Sequence, residues 1–248
     1  MRFGVAVEKL LLMWYNVKNT FILSVKNFTR RTVPYISFML EVKMAHIPKT
    51  ATTEMEILAF EDALTPTSLD YDRERWLYVP DYYTEYRYIL GTKGERPLIA
   101  IGINPSTAAP NALDNTLKSV ERIAHANGYD SFIMFNVYAE RATDPDHMER
   151  EFNLRLHEEN MKAFEYVLRL SKDTPAIWAA WGTLIKKRDY LRRCVSDMIT
   201  LGEQYGAGWF TCGARSKNGA HPHHPLYLRS DSPLDRFDVR EYLQGFAE

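Results

Sequence analysis

Pro97-Leu98-Ile99-Ala100-Ile101-Gly102-Ile103 runs almost unbroken in apolar side chains and then stops at Asn104-Pro105-Ser106. A strand with one wet face alternates polar and apolar residues; an unbroken run marks a strand covered on both faces, as in a parallel sheet. Ser131 to Val137 repeats the pattern, Pro175 to Ala180 supplies a third run and Gly208 to Cys212 a fourth. Between them apolar residues fall at helical spacing. Leu117, Val120, Ile123 and Ala124 follow Asp114 as a cap and end at Gly128. Met161, Phe164, Val167 and Leu168 mark a second helix, and Leu184, Leu191, Cys194, Val195 and Met198 a third. Arg75 to Val79 and Tyr86 to Leu90 are short and aromatic, and are expected as paired strands leading into the core. The alternation predicts an α/β fold, a three-layer α/β/α sandwich about a central, mostly parallel four-stranded sheet, in a single domain over 73–246.

The 248 residues are 46% hydrophobic and 25% charged, enough apolar material for a sizeable core and far from a disordered composition. The net charge of -1 is unevenly spread: residues 1–43 hold seven basic and two acidic side chains, leaving the other 205 residues at -6. Within that basic segment the apolar runs Leu10 to Tyr15 and Phe21 to Val25 are each too short to span a bilayer, so no membrane partner is expected. Residues 1–43 are read as a basic appendage, disordered or upstream of a second start at Met44. Cys194 and Cys212 form neither a disulfide framework nor a zinc module, which fits a reducing cytoplasm. No cofactor fingerprint and no protein-docking signal emerges: the G-x-S-x-G elbow, the G-x-x-x-x-G-K-[ST] loop and the H-E-x-x-H helix are all missing.

Ligands of open parallel sheets sit outside the carboxyl ends of the strands, so the loops that leave those ends are the places to search. The first offers Asn104 and Ser106, which could hold a water or an amide and equally serve as turn formers. The second places Asn136 at a strand exit, followed by Tyr138, Arg141 and Asp144. An Asn amide can read the imide edge of a nucleobase with both its donors and its acceptor. Arg141 could bind a phosphate, or pair with Asp144 as loop scaffolding. The last loop gathers His221, His223 and His224 among prolines, with Tyr227 after them. A zinc or nickel site there would lack a Cys or carboxylate at ligand spacing, so no metal is assigned.

The ordered series Ile103-Asn104-Pro105-Ser106-Thr107-Ala108, Asp114 with Thr116, Asn136 with Arg141-Ala142-Thr143-Asp144-Pro145, Ala180-Trp181-Gly182, and Gly219 with His224-Pro225-Leu226-Tyr227-Leu228 resembles domain of unknown function family 1643, over about residues 75–233. More remotely, Gly102-Ile103-Asn104-Pro105, Asn136 and His224-Pro225-Leu226 are similar to the loops of the uracil-DNA glycosylase superfamily. Ser106 stands where its Asn-bearing branches carry Gly, and His221-Pro222 competes with His224-Pro225 for the final motif. That resemblance implies an N-glycosidic hydrolase. His224 would donate to the developing base oxyanion, Asn136 would fix the base, Asn104 would orient water, and Tyr138 or Tyr227 would stack on the base, core packing being the commoner duty of any one aromatic.

Three functions therefore stand side by side. The first is a glycosidic hydrolase that recognises a nucleobase in DNA or in a nucleotide. The second is a noncatalytic nucleic-acid or nucleotide binder, and the third a metal-dependent hydrolase built on the histidine cluster. The acidic balance after residue 43 weighs against an extended DNA contact and less against a free nucleotide.

Overall fold

The computed structural model describes residues 55–68, 70–215 and 221–245 of the chain, with the side chain of Tyr227 outside that set. The expectation for residues 1–43 lies outside the described residues. Seven strands form one mixed sheet: β1 Trp76–Val79, β2 Ile89–Thr92, β3 Pro97–Gly102, β4 Ser131–Asn136, β5 Ala176–Ala179, β6 Gly208–Cys212 and β7 Leu234–Arg236, in the order β1-β2-β4-β3-β5-β6-β7. The four apolar runs are its parallel centre, β4-β3-β5-β6. The sheet is wider than the four strands expected, because β1 and β2 extend one side and β7 the other, all through antiparallel pairing.

Each residue of β3 and β4 is buried, and alternation sends successive side chains to opposite faces. Leu98 and Ala100 share one cluster with Leu117, Val120, Ile123 and Ala124 of helix α2, Asn115–Ala126. Ile99 and Ile101 share the other with Phe164 and Val167 of α3, Leu154–Leu168, and with Leu191, Val195 and Met198 of α4, Tyr190–Gln204. Burying each such aliphatic side chain stabilises the fold by roughly 1.5–3 kcal/mol relative to leaving it exposed. The caps are chemical: Asp114 accepts from the Leu117 amide at 2.9 Å, and Asn153 accepts from Leu156 at 3.1 Å to start α3. The third helix begins later than its apolar pattern suggests, since Gly182–Lys186 forms a 3-10 turn and α4 opens only at Tyr190.

Packing also starts upstream of Arg73. Helix α1, Phe60–Ala63, buries Phe60 against Tyr88 and Tyr166, and Glu159 of α3 accepts from its Phe60 amide at 2.7 Å. At the other end, α5, Val239–Gly245, buries Val239 and Tyr242.

The chain leaves β3 toward β4 on one side, then crosses back over β3 to reach β5 on the other. This reversal opens a crevice at the carboxyl ends of the central strands.

Where β2 meets β4 the backbones approach closely at Gly91. A Cβ there would fall 2.8 Å from Ile133 Cα and collide with the Phe132 carbonyl. Gly91→Ala is expected to cost roughly 1–3 kcal/mol, the scale of overpacking a tight core. Thermal or urea unfolding of the purified variant measures it, and an unchanged midpoint would contradict the close approach.

Candidate functional site

The β3–β4 pairing does not end with the strands. Val137 N donates to Gly102 O at 2.8 Å, Tyr138 N to Ile103 O at 2.9 Å and Ala142 N to Pro105 O at 3.0 Å. The two exit loops are thereby stitched together. They wall a cleft of about 250 Å³ lined by Asn104, Ser106, Asp114, Asn136 and His224, with Arg87, Thr116, Thr143 and Leu184 completing its polar and apolar sides. A slightly larger hollow of about 290 Å³, around Arg96, Asn127 and Arg236, lies at the amino ends of the strands. It gathers none of the strand-exit residues, so the carboxyl-end cleft is the better candidate.

Both asparagines spend their donors on the backbone. Asn104 Nδ2 donates to Ala142 O at 2.7 Å and to Pro105 O at 3.1 Å. The buried Asn136 amide, with its NH2 toward Phe135 O and Asn104 O, makes contacts of 3.3 and 3.2 Å. Two donors per amide are thus committed, and the carbonyl oxygens Oδ1 are what remains for a ligand. With the amide turned this way, Asn136 can accept from a base through Oδ1 while its donors are engaged.

His224 is half-buried, and its Nδ1 accepts from the Leu226 amide at 3.3 Å. An accepting Nδ1 carries no proton, so the neutral ring holds its hydrogen on Nε2, the donor left for the cleft. Burial first, then neighbouring His223, lowers its pKa from the ordinary value, with the Asp114 carboxylate pulling the other way.

The other expected site residues have different duties. Tyr138 is fully buried, packs against the tilted ring of Tyr190 with centroids 4.8 Å apart and accepts from the Asn153 amide at 3.0 Å, so it is a core residue. Arg141 is buried behind the cleft: Nη1 donates to Ser106 O, Nη2 to Tyr78 Oη at 3.1 Å, and the guanidinium lies 4.7 Å from the Tyr83 ring centroid. It is neither a surface cation nor a partner of Asp144. Asp144 is exposed and caps the turn Pro145–His147 through the Asp146 amide. His221 is buried, with Nδ1 3.0 Å from Tyr242 Oη, beside Trp181 and away from the cleft lining. The side chain of Tyr227 lies outside the described residues. His223 Nδ1 donates to His224 O at 2.7 Å. The three histidines face separate partners, and among the described residues no group of three or more His, Cys, Asp or Glu is arranged to hold a metal ion.

Among the cleft residues not expected as site residues, Asp114 and Arg87 carry charge. Asp114 reads in the sequence as a helix cap and as part of the family-like series with Thr116, and it is the carboxylate of the cleft lining. Arg87 sits in an aromatic stretch that reads as plain strand, and only the pairing of Arg87 N with Ala139 O, at 2.9 Å, brings it beside the β4 exit. Among the described residues no helix is long and apolar enough to cross a membrane.

A family model described as protein of unknown function (DUF1643) matches residues 87–226, more than half of the chain. No curated protein and no solved structure matches.

With its folded-state pKa below 6.5, His224 leaves the unfolded chain binding more protons than the folded one between the two values. Its contribution to stability is therefore whole above about pH 6.5 and is lost as pH falls through the lowered value. Nitrogen-proton correlation spectra should show the Nε2–H tautomer and a titration midpoint below that of an exposed histidine. A midpoint above 6.5 would contradict the arrangement.

Proposed function

The chain belongs to the DUF1643 family, whose description assigns no reaction, and from that premise we propose that its cleft binds a nucleobase and hydrolyses the N-glycosidic bond that holds it. The observation that carries this reading is the meeting of Asn104, Asn136 and His224, far apart in the chain, at one cleft. The remote likeness of the Gly102-Ile103-Asn104-Pro105 and His224-Pro225-Leu226 loops to the uracil-DNA glycosylase superfamily agrees with it, as does a four-strand parallel centre flanked by helix-borne clusters.

In the proposed reaction water adds to the anomeric carbon, the carbon–nitrogen bond breaks, the base leaves with the bonding electron pair, and the proton that the water gives up ends on the departed base. Negative charge then grows on the base oxygens while the sugar approaches an oxocarbenium ion. His224 Nε2–H meets the growing oxyanion; a neutral donor suits this, because it does not lose its proton to a weakly basic oxygen. Asn136 Oδ1 accepts from a ring N–H, and Asn104 Oδ1 positions the water. Asp114 supplies negative charge near the developing cation, its second oxygen remaining after one has capped α2. An amide is no general base, so the chemistry relies on a good leaving group and on positioning.

The cleft volume, about 250 Å³, suits one heterocycle with its attachments better than a length of duplex. Together with the charge of -6 over the 205 residues after position 43, this favours a nucleotide or a single extruded base over an extended DNA groove.

Purified protein incubated with uracil-containing single strands, duplexes and mispairs, and with free nucleosides and nucleotides, should release free base, read by chromatography. His224→Ala is expected to lower that rate about 10²–10³-fold, the cost of removing one oxyanion donor. Binding without release across the panel would instead identify a noncatalytic binder.

A further inference from the structure

Arg87 is 1% exposed and yet lines the cleft. Its Nη1 donates to Ala108 O at 2.9 Å, while its buried Nε has no hydrogen-bond partner. Among the described residues it makes no ion pair with a carboxylate, although burying a guanidinium without one is costly. Arg141, equally buried, stands close enough to repel it. Burial and that repulsion push the Arg87 pKa down to about 9, with Tyr78 and Asp114 opposing. The guanidinium still carries its proton at neutral pH.

Two further elements at this end of the cleft favour an anion. Thr116 and Leu117, in the first turn of the twelve-residue helix α2, are part of the same lining, so the positive end of the helix dipole is directed here. Ser106 adds a hydroxyl, with its carbonyl turned away to Arg141. Asp114 is the opposing charge. It caps α2 through the Leu117 amide and lies in the same lining as Arg87, whereas Arg141 stands behind the cleft.

We propose that Arg87, with the first turn of α2 and the Ser106 and Thr116 hydroxyls, forms a phosphate receptor beside the base site, so that the substrate is a phosphorylated nucleoside rather than a bare one. The inference rests on the nucleobase reading for its sugar and base, but the receptor is defined by Arg87 alone and can be tested apart from it. A phosphate oxygen would meet Nη2, which has no hydrogen-bond partner among the described residues, while Nη1 keeps its bond to Ala108 O. The phosphate could belong to a free 5′-nucleotide or to a backbone diester.

Calorimetric titration of the full chain separates these. The ligands are inorganic phosphate, the common nucleosides with their 5′-monophosphates (the uracil pair included), and a single-stranded trinucleotide. The expected result is a nucleotide bound about ten- to a hundredfold more tightly than its nucleoside, the range of one charge-assisted hydrogen bond. Inorganic phosphate should compete with the nucleotide and leave the nucleoside unaffected. Arg87→Met should erase the gap and leave nucleoside binding standing; if that variant does not fold, the competition on the unaltered chain decides.

A trinucleotide preferred over the monoester would assign the receptor to a diester. Phosphate binding without any nucleoside binding would uphold the receptor and remove the base site. Equal affinity for nucleoside and nucleotide would overturn the receptor and spare the base reading. Equal loss of both ligands in a folded Arg87→Met chain would make Arg87 a loop support only and also overturn it, as would no binding at all.

Discussion

The parallel register of β3 and β4 is the constraint on which the cleft depends. It pairs Gly102 with Asn136 at the strand ends and carries on through the amides of Val137, Tyr138 and Ala142. Two loops that could otherwise wander are held as one continuous backbone surface. Asn104 closes it, since its Nδ2 bridges to Ala142 from the opposite loop. Gly102 leaves room for the neighbouring side chains: a Cβ there would lie 3.2 Å from the Asn136 amide and 2.5 Å from Met134 Cε. From α3, Asn160 secures the same strand end by donating to the Asn136 carbonyl at 3.1 Å. The side chains of the site are therefore positioned by backbone pairing and buried amides, not by the loops' own preferences.

Two buried arginines are the price of that rigidity. Arg141 fixes the Ser106 carbonyl and Arg87 the Ala108 carbonyl, so each end of the first loop is tied to a guanidinium from another part of the chain. Neutral donors would have been cheaper to bury, because an ionised group surrenders its hydration. Arg141 recovers part of the loss from Tyr78 and from the face of Tyr83. Arg87 has one carbonyl and a more distant carboxylate. Each Nε lacks a partner, so the asymmetry lies at the Nη groups: Arg141 engages both and supports the loop, whereas Arg87 engages only Nη1.

The central sheet was readable because burial on both faces leaves a signature no surface segment carries. The run from Pro97 and the stretch Phe132 to Phe135 hold side chains that pack on one helix layer or the other, so polar residues are confined to the strand ends. The same logic located Asn104 and Asn136, the first polar residues after such runs. Other features left no such mark. β7 is three residues long and mostly exposed, and only pairing with β6 makes it a strand. Arg141 and Asp144, three positions apart in one loop, look like an ion pair in sequence, but one side chain turns inward to tyrosines and the other outward as a cap. Arg87 was hidden for the opposite reason. Its neighbours Tyr86 and Tyr88 are core residues, and nothing in their spacing says that the arginine between them faces a cleft.

The choice between His221-Pro222 and His224-Pro225, open in the sequence, turns on what each imidazole can still offer. His221 is drawn to Tyr242, whose hydroxyl also accepts from Trp181 Nε1 at 3.0 Å, and so belongs to an aromatic cluster between β5 and α5. His224 precedes a proline that fixes the start of a short turn, and the Leu226 amide of that turn takes up Nδ1. One backbone hydrogen bond thus sets the tautomer and the donor of the ring, while burial disfavours its charged form. With both asparagines reduced to acceptors, the proposed ligand must present at least one N–H and one oxygen to this cleft. The imide edge of a pyrimidine such as uracil does so. An adenine edge can meet these groups through N6–H and a ring nitrogen, but it carries no oxygen on which the leaving charge would gather beside His224, and this favours an oxo-substituted base in the proposed reaction.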